Sequence, residues 1–398
     1  MSKPTLREEP SSGVSSRPPF SLPPTAQTFY RPELDGLRFF AFLAVYVNHT
    51  VAFGTASHHH HLPDAIAIAL GTVGVAGAFG VDLFFVLSAF LITELLLRER
   101  RARGGLDVKA FYIRRALRIW PLYFVFLVFA YALTFVVPHE KLAWWQLLGF
   151  ALFSGNWVYI VHPVPTVAAP LWSISVEEQF YLVWPWVVRH GSPRRIVGLA
   201  LGLVAVGMAI RLGFGVADIG EPWVSKNSLT RVDGIAAGVI LAVALGGKMP
   251  RIGPGPRVAL LGAGLALLLW VAYGFDLFEA HTETLASVLG WPFVALGCVA
   301  VVVSALGRNS PFDFALKSKP LIYLGRISFG LYVFHQVGLL VADRVFPRFN
   351  DAAFQWLGHT VLGLVLTVPM AAASYRWLEQ PFLKLKQRRF TVVGSRPE

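Results

Sequence analysis

Long apolar runs separated by short polar segments follow one another along the chain, a pattern typical of a membrane protein that crosses the bilayer many times. A transmembrane helix needs about 20 mostly apolar residues. Ten runs come close to that length. They lie at 38–54, 78–97, 119–137, 171–188, 196–214, 231–246, 258–275, 285–306, 327–345 and 354–377. The pattern predicts an all-α polytopic membrane protein with about ten transmembrane helices.

Two apolar segments are not predicted to be single transmembrane helices. Residues 66–97 are too long for one crossing, and the glycines of their first half predict that only 78–97 crosses while the preceding part lies shallow or re-enters. Residues 144–160 contain tryptophans, which favour the membrane interface, and a polar Ser-Gly-Asn interruption. We expect 144–160 to be a re-entrant or interfacial segment.

The ends of the chain differ in composition from the apolar middle. Residues 1–30 are rich in Pro, Ser and Thr and predict a disordered cytoplasmic leader. Residues 31–383 form the predicted transmembrane domain, and 384–398 a basic cytoplasmic tail. The single cysteine, Cys298, excludes a disulfide framework.

The charge distribution indicates the orientation. The chain has 35 basic and 23 acidic residues, a net charge of +12, which in a soluble protein would suggest nucleic-acid binding. Most basic residues, however, fall in alternate loops, and the intervening loops hold only Lys141, Lys226 and Arg348. By the positive-inside rule both termini are cytoplasmic. The net positive charge is therefore explained by the predicted cytoplasmic loops, and no nucleic-acid partner is expected.

A few ionisable residues interrupt the apolar runs, and such residues mark functional sites by default. Arg38 and His49 lie eleven residues apart, which places them on one helix face about 16 Å apart along the axis. Glu177 and Glu178 in the fourth run, and His335 in the ninth, are predicted at nearly the depth of His49. Two imidazoles and a carboxylate in one buried layer suit general acid/base chemistry at a hydroxyl. The alternative interpretation is that these groups only join helices through buried hydrogen bonds.

A basic cluster precedes the third run. The spacing of Arg114, Arg115 and Arg118 places Arg114 and Arg118 on one helix face at the membrane entrance, with Arg115 about 100° away. Guanidinium groups arranged in this way suit the several phosphates of a nucleotide-like ligand.

Other polar groups are interpreted as structural. Four consecutive histidines, His58–His61, cannot all face one ion, so no metal site is expected there. Asp82, Arg231 and Asp233 are expected to form ion pairs within the bundle.

Six motifs together resemble the integral-membrane acyltransferase-3 family, of the O-antigen and exopolysaccharide acetylase type. In order they are R-P-E-L-D-G-L-R-F-F-A-F-L-A-V-Y-V-N-H, G-V-D-L-F-F-V-L-S-A-F-L-I-T, R-R-A-L-R-I-W-P-L-Y, L-W-S-I-S-V-E-E-Q-F-Y-L, S-F-G-L-Y-V-F-H and W-L-E-Q-P-F. The resemblance covers about 31–383. One departure is Ala89, where the family usually has glycine; the added methyl could alter helix packing or narrow a donor channel.

The resemblance implies a multi-pass enzyme of the bacterial inner membrane that transfers an acyl group, usually acetyl, from cytoplasmic acyl-CoA to a hydroxyl of a saccharide or glycosylated molecule. It implies catalytic roles for His49, Glu177 and His335, and donor binding by Arg38, Arg115 and Arg118. The choice of Glu177 over Glu178 comes from the family alone. No metal is implied, and without an SGNH hydrolase-like domain the expectation is a stand-alone transferase.

Several alternatives stay open from the sequence. The acceptor could instead be a diffusible small molecule such as a macrolide. Direct transfer and an acyl-histidine relay are both compatible with His49. The buried His, Glu and Arg residues would also suit a proton-coupled transporter, although no internal repeat supports that reading.

Overall fold

The computed structural model describes residues 30–58, 64–138, 140–164, 166–278, 283–307, 310–347, 349 and 352–389, so the predicted leader lies outside the described residues except for Tyr30. These residues form sixteen α-helices and one short π-helical segment. The helices are α1 Pro32–His58, α2 Asp64–Ala78, α3 Gly80–Arg103, α4 Val108–Leu133, α5 Trp144–Ala151, α6 Gly155–Val161, α7 Leu171–His190, α8 Pro193–Val216, α9 Val232–Leu245, α10 Pro254–Gly274, α11 Thr284–Ala305, α12 Asp313–Leu316, α13 Lys319–Arg326, α14 Ser328–Val345, α15 Ala352–Ser374 and α16 Gln380–Arg389.

The prediction of an all-α polytopic membrane protein is confirmed. A helix occupies each of the ten predicted runs. By length and apolar composition, six helical elements of the described chain could cross a membrane, or seven if the bent pair α13–α14 is one span. Helix α9 has only 14 residues, and Glu177, Glu178 and Gln179 lower the hydropathy of α7. The count of ten spans and their orientation therefore stay predictions.

Both irregular segments depart from a single straight span. Residues 144–160 form two short helices, α5 and α6, of 8 and 7 residues, each too short to cross a bilayer. Helices α2 and α3 follow each other through Phe79 as one apolar element of 40 residues. At 1.5 Å per residue this element measures about 60 Å, twice the hydrocarbon thickness, so only part of it can cross.

Close backbone contacts seat α1 against α2 and α3. A Cβ on Gly77 would lie 2.4 Å from the carbonyl oxygen of Ala44, and one on Gly80 would lie 2.4 Å from that of Ala41. Only glycine permits this approach. The Asn48 amide donates a hydrogen bond to the carbonyl of Gly74 at 2.8 Å. Helix α1, which carries Arg38 and His49, is thereby held in the interior of the bundle.

The residue that departs from the family pattern packs between α3 and α9. Ala89 is fully buried, and its Cβ lies 3.0 Å from the position that a Cβ on Gly238 would take. Gly238 thus leaves room for the extra methyl. Ala89 is not among the residues that line the central cavity described below, and its methyl packs against α9.

Arginines at the end of α3 bind the ends of two other helices. Arg98 and Arg101 donate to the carbonyls of Gly247 and Gly246, which follow α9. Arg100 donates to carbonyls at the end of α7. These loops are all predicted to be cytoplasmic, and the structure places them together. We call this the cytoplasmic end, following the predicted orientation.

The same end holds a sharp bend and the start of the predicted tail. Helix α13 meets α14 at 73°. After α15, the π-helical segment Tyr375–Glu379 leads into α16, which packs against α4. The predicted tail therefore starts as a helix, through Arg389, and Lys386 of this helix reaches the central cavity.

Candidate functional site

A cavity of about 270 Å³ opens at the cytoplasmic end and extends into the bundle between α1, α3, α4, α7 and α14. Basic side chains surround its mouth, and its inner part is lined by aromatic and hydroxyl groups such as Phe85, Ser173 and Tyr332. A drug-sized ligand is typically buried in roughly 300–1,000 Å³. This cavity is slightly smaller, so part of a ligand of that size would stay at the mouth.

Three predicted donor-binding arginines line this cavity. Arg38, Arg115 and Arg118 come from α1 and α4, and no described carboxylate lies within 4.0 Å of any of them. The buried Nε of Arg38 has no hydrogen-bond partner. Arg114 differs, because it pairs with Glu99 at 2.9 Å. The cavity thus has a positive lining that is available to an anion.

Contacts with aromatic rings hold Arg115 in place. Its guanidinium carbon lies 5.7 Å from the ring centre of Phe111 and 5.5 Å from that of Tyr181. Such cation–π contacts orient a guanidinium and leave its N–H groups free at the edge. An oriented guanidinium can then bind phosphate or carboxylate oxygens in pairs.

The two neighbouring glutamates of α7 face different surroundings. Glu177 lines the cavity, accepts a hydrogen bond from the Tyr181 hydroxyl at 3.0 Å and interacts electrostatically with Arg38 and Arg115. Glu178 instead accepts a hydrogen bond from the Trp120 indole at 3.1 Å and does not line the cavity. The structure therefore separates two residues that depth alone could not distinguish.

His49 and His335 form a pair deeper in the bundle, with ring centres 5.0 Å apart. His335 is fully buried, and its Nδ1 lies 2.6 Å from the carbonyl oxygen of Tyr332. Since a carbonyl only accepts, Nδ1 carries the proton. The Gln336 amide donates to Nε2 at 3.3 Å. His335 is thereby fixed in one tautomer and one orientation.

The position of His49 is fixed by helix α1 and not by hydrogen bonds of its own ring. Its half-buried ring makes no hydrogen bond to the described residues. Its neighbours are anchored instead: the Asn48 amide binds α2, and the Trp356 indole donates to the carbonyl of Thr50 at 2.8 Å. Both ring nitrogens of His49 therefore remain available for proton transfer, beside an oriented second imidazole.

The predicted single layer of two imidazoles and a carboxylate is wrong in one respect, because Glu177 lies with the arginines and not with the histidines. Ser173 lies one turn before Glu177 in α7, and its hydroxyl is 2.7 Å from that of Tyr332. His335 lies three residues beyond Tyr332 in α14. By helical rise these steps separate Glu177 from His335 by roughly 10 Å in depth. The prediction erred because it measured each depth within its own segment, and the rise along one helix does not fix its height relative to another helix.

Tyr332 and Ser173, which motif reasoning did not single out, close the inner end of the cavity. The Tyr332 hydroxyl donates to the carbonyl of Pro170 at 3.0 Å, and its ring centre lies 5.7 Å from that of His335. Both residues line the cavity, whereas neither histidine does. Tyr332 was visible in the sequence, in the same motif as His335.

Asp82, Arg231 and Asp233 all form ion pairs within the bundle, as expected. Arg231 pairs with Asp82 at 3.0 Å, whereas Asp233 pairs with Arg211, at 2.7 Å and 3.1 Å. His59 to His61 lie outside the described residues. In the rest of the chain that the structure describes, no group of three or more His, Cys, Asp or Glu side chains could hold a metal ion.

Comparison with known proteins identifies relatives across this whole region. A family model described as an acyltransferase domain matches residues 31–376. Peptidoglycan O-acetyltransferase OatA of Listeria monocytogenes is 26% identical over 376 residues, covering 89% of this chain and 56% of the relative. O-acetyltransferase OatA of Staphylococcus aureus is 25% identical over 392 residues, covering 92% and 59%.

A third relative has a similar sequence identity and coverage. The putative peptidoglycan O-acetyltransferase YrhL of Bacillus subtilis is 27% identical over 383 residues, covering 91% of this chain and 56% of the relative. The chain thus spans a little over half the length of these relatives. No solved structure matches.

Proposed function

Since the chain belongs to the acyltransferase-3 family, we propose that it is a membrane O-acyltransferase that moves an acyl group, acetyl in the first place, from cytoplasmic acyl-CoA to a hydroxyl of a cell-surface saccharide. Two of the relatives named above are peptidoglycan O-acetyltransferases by description, so peptidoglycan is the acceptor we propose first. We place the protein in the bacterial inner membrane.

One observation carries the proposal: a cavity leads from the cytoplasmic end toward a pair of histidines, and three of its arginines have no carboxylate within 4.0 Å among the described residues. The phosphates of acyl-CoA bind Arg115, Arg118 and Arg38 at the mouth. The narrow pantetheine arm extends along the cavity, which is too small for the whole nucleotide. Glu177 balances the charge of the arginines when no donor is bound.

The thioester reaches the histidines only after the inner end opens. The hydroxyls of Ser173 and Tyr332 close that end, so these two side chains move aside when the acyl group passes. His49, whose ring nitrogens are unbound, takes the proton of the attacking hydroxyl. His335, with its fixed tautomer, orients the pair. General-base catalysis of this kind contributes about 10²–10⁴-fold to a rate.

The test is transfer of label from radiolabelled acetyl-CoA by membranes that contain the protein, with lipid, glycan and small-molecule fractions counted separately. We expect label in glycan, lost in His49→Ala and reduced in Arg115→Ala. His190→Ala and Arg189→Ala, exposed residues at the end of α7, serve as matched controls and retain transfer. Label only in the small-molecule fraction would replace the saccharide acceptor with a diffusible one.

Kinetics of the same reaction distinguish direct transfer from a relay. A trapped acyl-enzyme that requires His49, or ping-pong patterns, would support an acyl-histidine relay. A required ternary complex without acyl-enzyme would support direct attack. Absence of both acyl-CoA binding and transfer by folded protein would overturn the proposal and favour the transporter alternative.

A further inference from the structure

Lys226 lies in the connection between α8 and α9, at the opposite end of the bundle from the donor cavity mouth. Its ammonium nitrogen lies 4.6 Å from the ring centre of Trp172 and 5.8 Å from that of Tyr159. Among the described residues it makes no hydrogen bond and no ion pair within 4.0 Å. An ammonium held between rings without an anionic partner is suited to receive negative charge from a ligand.

A closed set of hydrogen bonds fixes the loop that carries Lys226. The buried Asn156 amide donates to the carbonyl of Lys226 at 3.1 Å and to the Ser228 hydroxyl at 2.9 Å. The Gln179 amide donates to Asn156 at 2.9 Å, and Ser228 donates to Gln179 at 2.6 Å. Such fully satisfied networks rigidify their surroundings. The position of Lys226 is therefore built into the fold.

The charged groups around Lys226 differ from it in having partners. Arg231 is already paired with Asp82 at 3.0 Å. The Glu221 carboxylate accepts a hydrogen bond from Ser225 and acts on Lys226 from beyond ion-pair distance. Trp172, whose ring holds the ammonium, is followed by Ser173, whose hydroxyl lies 2.7 Å from that of Tyr332, the tyrosine beside His335. The charge of Lys226 also acts on His49. Negative charge that develops beside His49 in this low-dielectric interior would be strongly attracted to the ammonium.

We infer that Lys226 is a further catalytic residue of the proposed acyl transfer, whose ammonium stabilises the oxyanion formed on the acyl carbonyl oxygen beside His49. The inference rests on the proposed function. It also assigns roles to the two rings and to the network of Asn156, Gln179 and Ser228, which position the ammonium without touching the reacting atoms.

The step balances without any further reactant. The acceptor oxygen attacks the thioester carbonyl carbon, a C–O bond forms, and the acceptor proton moves to His49. The carbonyl electron pair moves onto oxygen, beside Lys226. When this electron pair forms the carbonyl double bond again, the C–S bond breaks. The departing sulfur then takes the proton from His49. The products are the ester and free CoA.

A pH dependence follows from the surroundings of Lys226. Burial lowers the pKa of Lys226 to about 8, and the charges of Arg231, Glu221 and Asp82 act on it in opposite directions. Because the protonated ammonium is the active form, kcat should fall as the pH rises through about 8. Lys226→Arg keeps its charge well above that range and should lack this alkaline fall.

The experiment measures kcat, both KM values and acyl-CoA binding for the full-length protein in nanodiscs, with Lys226→Met, Lys226→Arg and the exposed outer-loop control Lys141→Met. Loss of one oxyanion-stabilising group costs about 10²–10³-fold in kcat. We expect that loss in Lys226→Met with acyl-CoA affinity unchanged, partial activity without the alkaline fall in Lys226→Arg, and wild-type values in Lys141→Met.

Two results would overturn the inference while leaving the proposed function intact. One is Lys226→Met with wild-type kcat. The other is an effect confined to the acceptor KM, which would make Lys226 an acceptor-binding residue. If wild-type protein and Lys141→Met also fail to transfer acetyl from acetyl-CoA, the proposed function itself fails, and the inference with it.

Discussion

Arginines lie inside this bundle in two regions, fully buried in one and half-buried in the other, and the regions differ in what the guanidinium groups bind. In the half formed by α8–α11, Arg211 makes two hydrogen bonds to Asp233, and Arg257 donates to the carbonyls of Ile252 and Ser304. Around the cavity, Arg38, Arg115 and Arg118 have no carboxylate within ion-pair distance among the described residues. A paired guanidinium joins helices, whereas an unpaired one that lines a cavity is ready for a ligand. Pairing and burial together therefore separate the structural arginines from the three that line the cavity.

The largest effect is expected at the histidine that the cavity approaches. His49→Ala removes the unbound imidazole, and we expect kcat to fall by about 10²–10⁴-fold, the usual contribution of a general base. Acyl-CoA affinity should stay unchanged, because His49 does not line the cavity. Transfer kinetics and equilibrium binding measure the two quantities separately. Unchanged kcat in a folded variant would show that His49 is not the general base.

The next largest effect tests the paired region. Arg211→Leu leaves the carboxylate of Asp233 buried without its partner, and breaking a buried ion pair typically costs about 3–5 kcal/mol of folding free energy. Thermal unfolding of the purified protein measures the loss. The double variant Arg211→Leu with Asp233→Leu should recover most of it, since no buried charge remains.

Donor affinity provides the control for that variant. Protein with Arg211→Leu that still folds should bind acyl-CoA normally. Weakened donor binding at unchanged stability would mean that the α8–α11 half also contributes to the donor site, and the contrast between the two regions would be lost.

A smaller effect of the opposite kind is expected at the cavity. Arg115→Gln removes one charged contact to a phosphate, which is worth about 1.5–3 kcal/mol, or roughly 10–100-fold in the Kd for acyl-CoA. The melting temperature should change little, because Arg115 has no carboxylate within 4.0 Å among the described residues and loses mainly its contacts with two rings. Arg115→Lys should recover only part of the affinity, since an ammonium lacks the planar fork. A fall in stability without a change in Kd would make Arg115 structural.

The sequence was sufficient where the signal was local. Apolar runs gave a helix at every predicted position, and helical periodicity alone placed Arg38 and His49 on one face of α1. The helices and the shared face of Arg38 and His49 could be predicted because hydropathy and helix geometry are properties of a single segment.

The arrangement between segments was not accessible in the same way. Arg231 pairs with Asp82, which is 149 residues away, and not with Asp233 two residues away. Glu177 lies about two helical turns from the expected layer. Lys226 reaches its place through a loop whose course depends on Asn156 and Gln179. One signal for Lys226 was nevertheless present, because basic residues are rare in the predicted outer loops.

The smallest effect is expected at Ala89, the residue that departs from the family pattern. Ala89→Gly removes a buried methyl that faces Gly238 and adds a helix-interior glycine, changes worth about 0.8 kcal/mol for the methyl and about 0.5–1 kcal/mol for the glycine. We expect a lower melting temperature with an unchanged Kd for acyl-CoA, because Ala89 does not line the cavity. A changed Kd at constant melting temperature would instead show that the methyl narrows the donor path. Ala89 would then belong with the cavity arginines and not with the residues that hold the helices together.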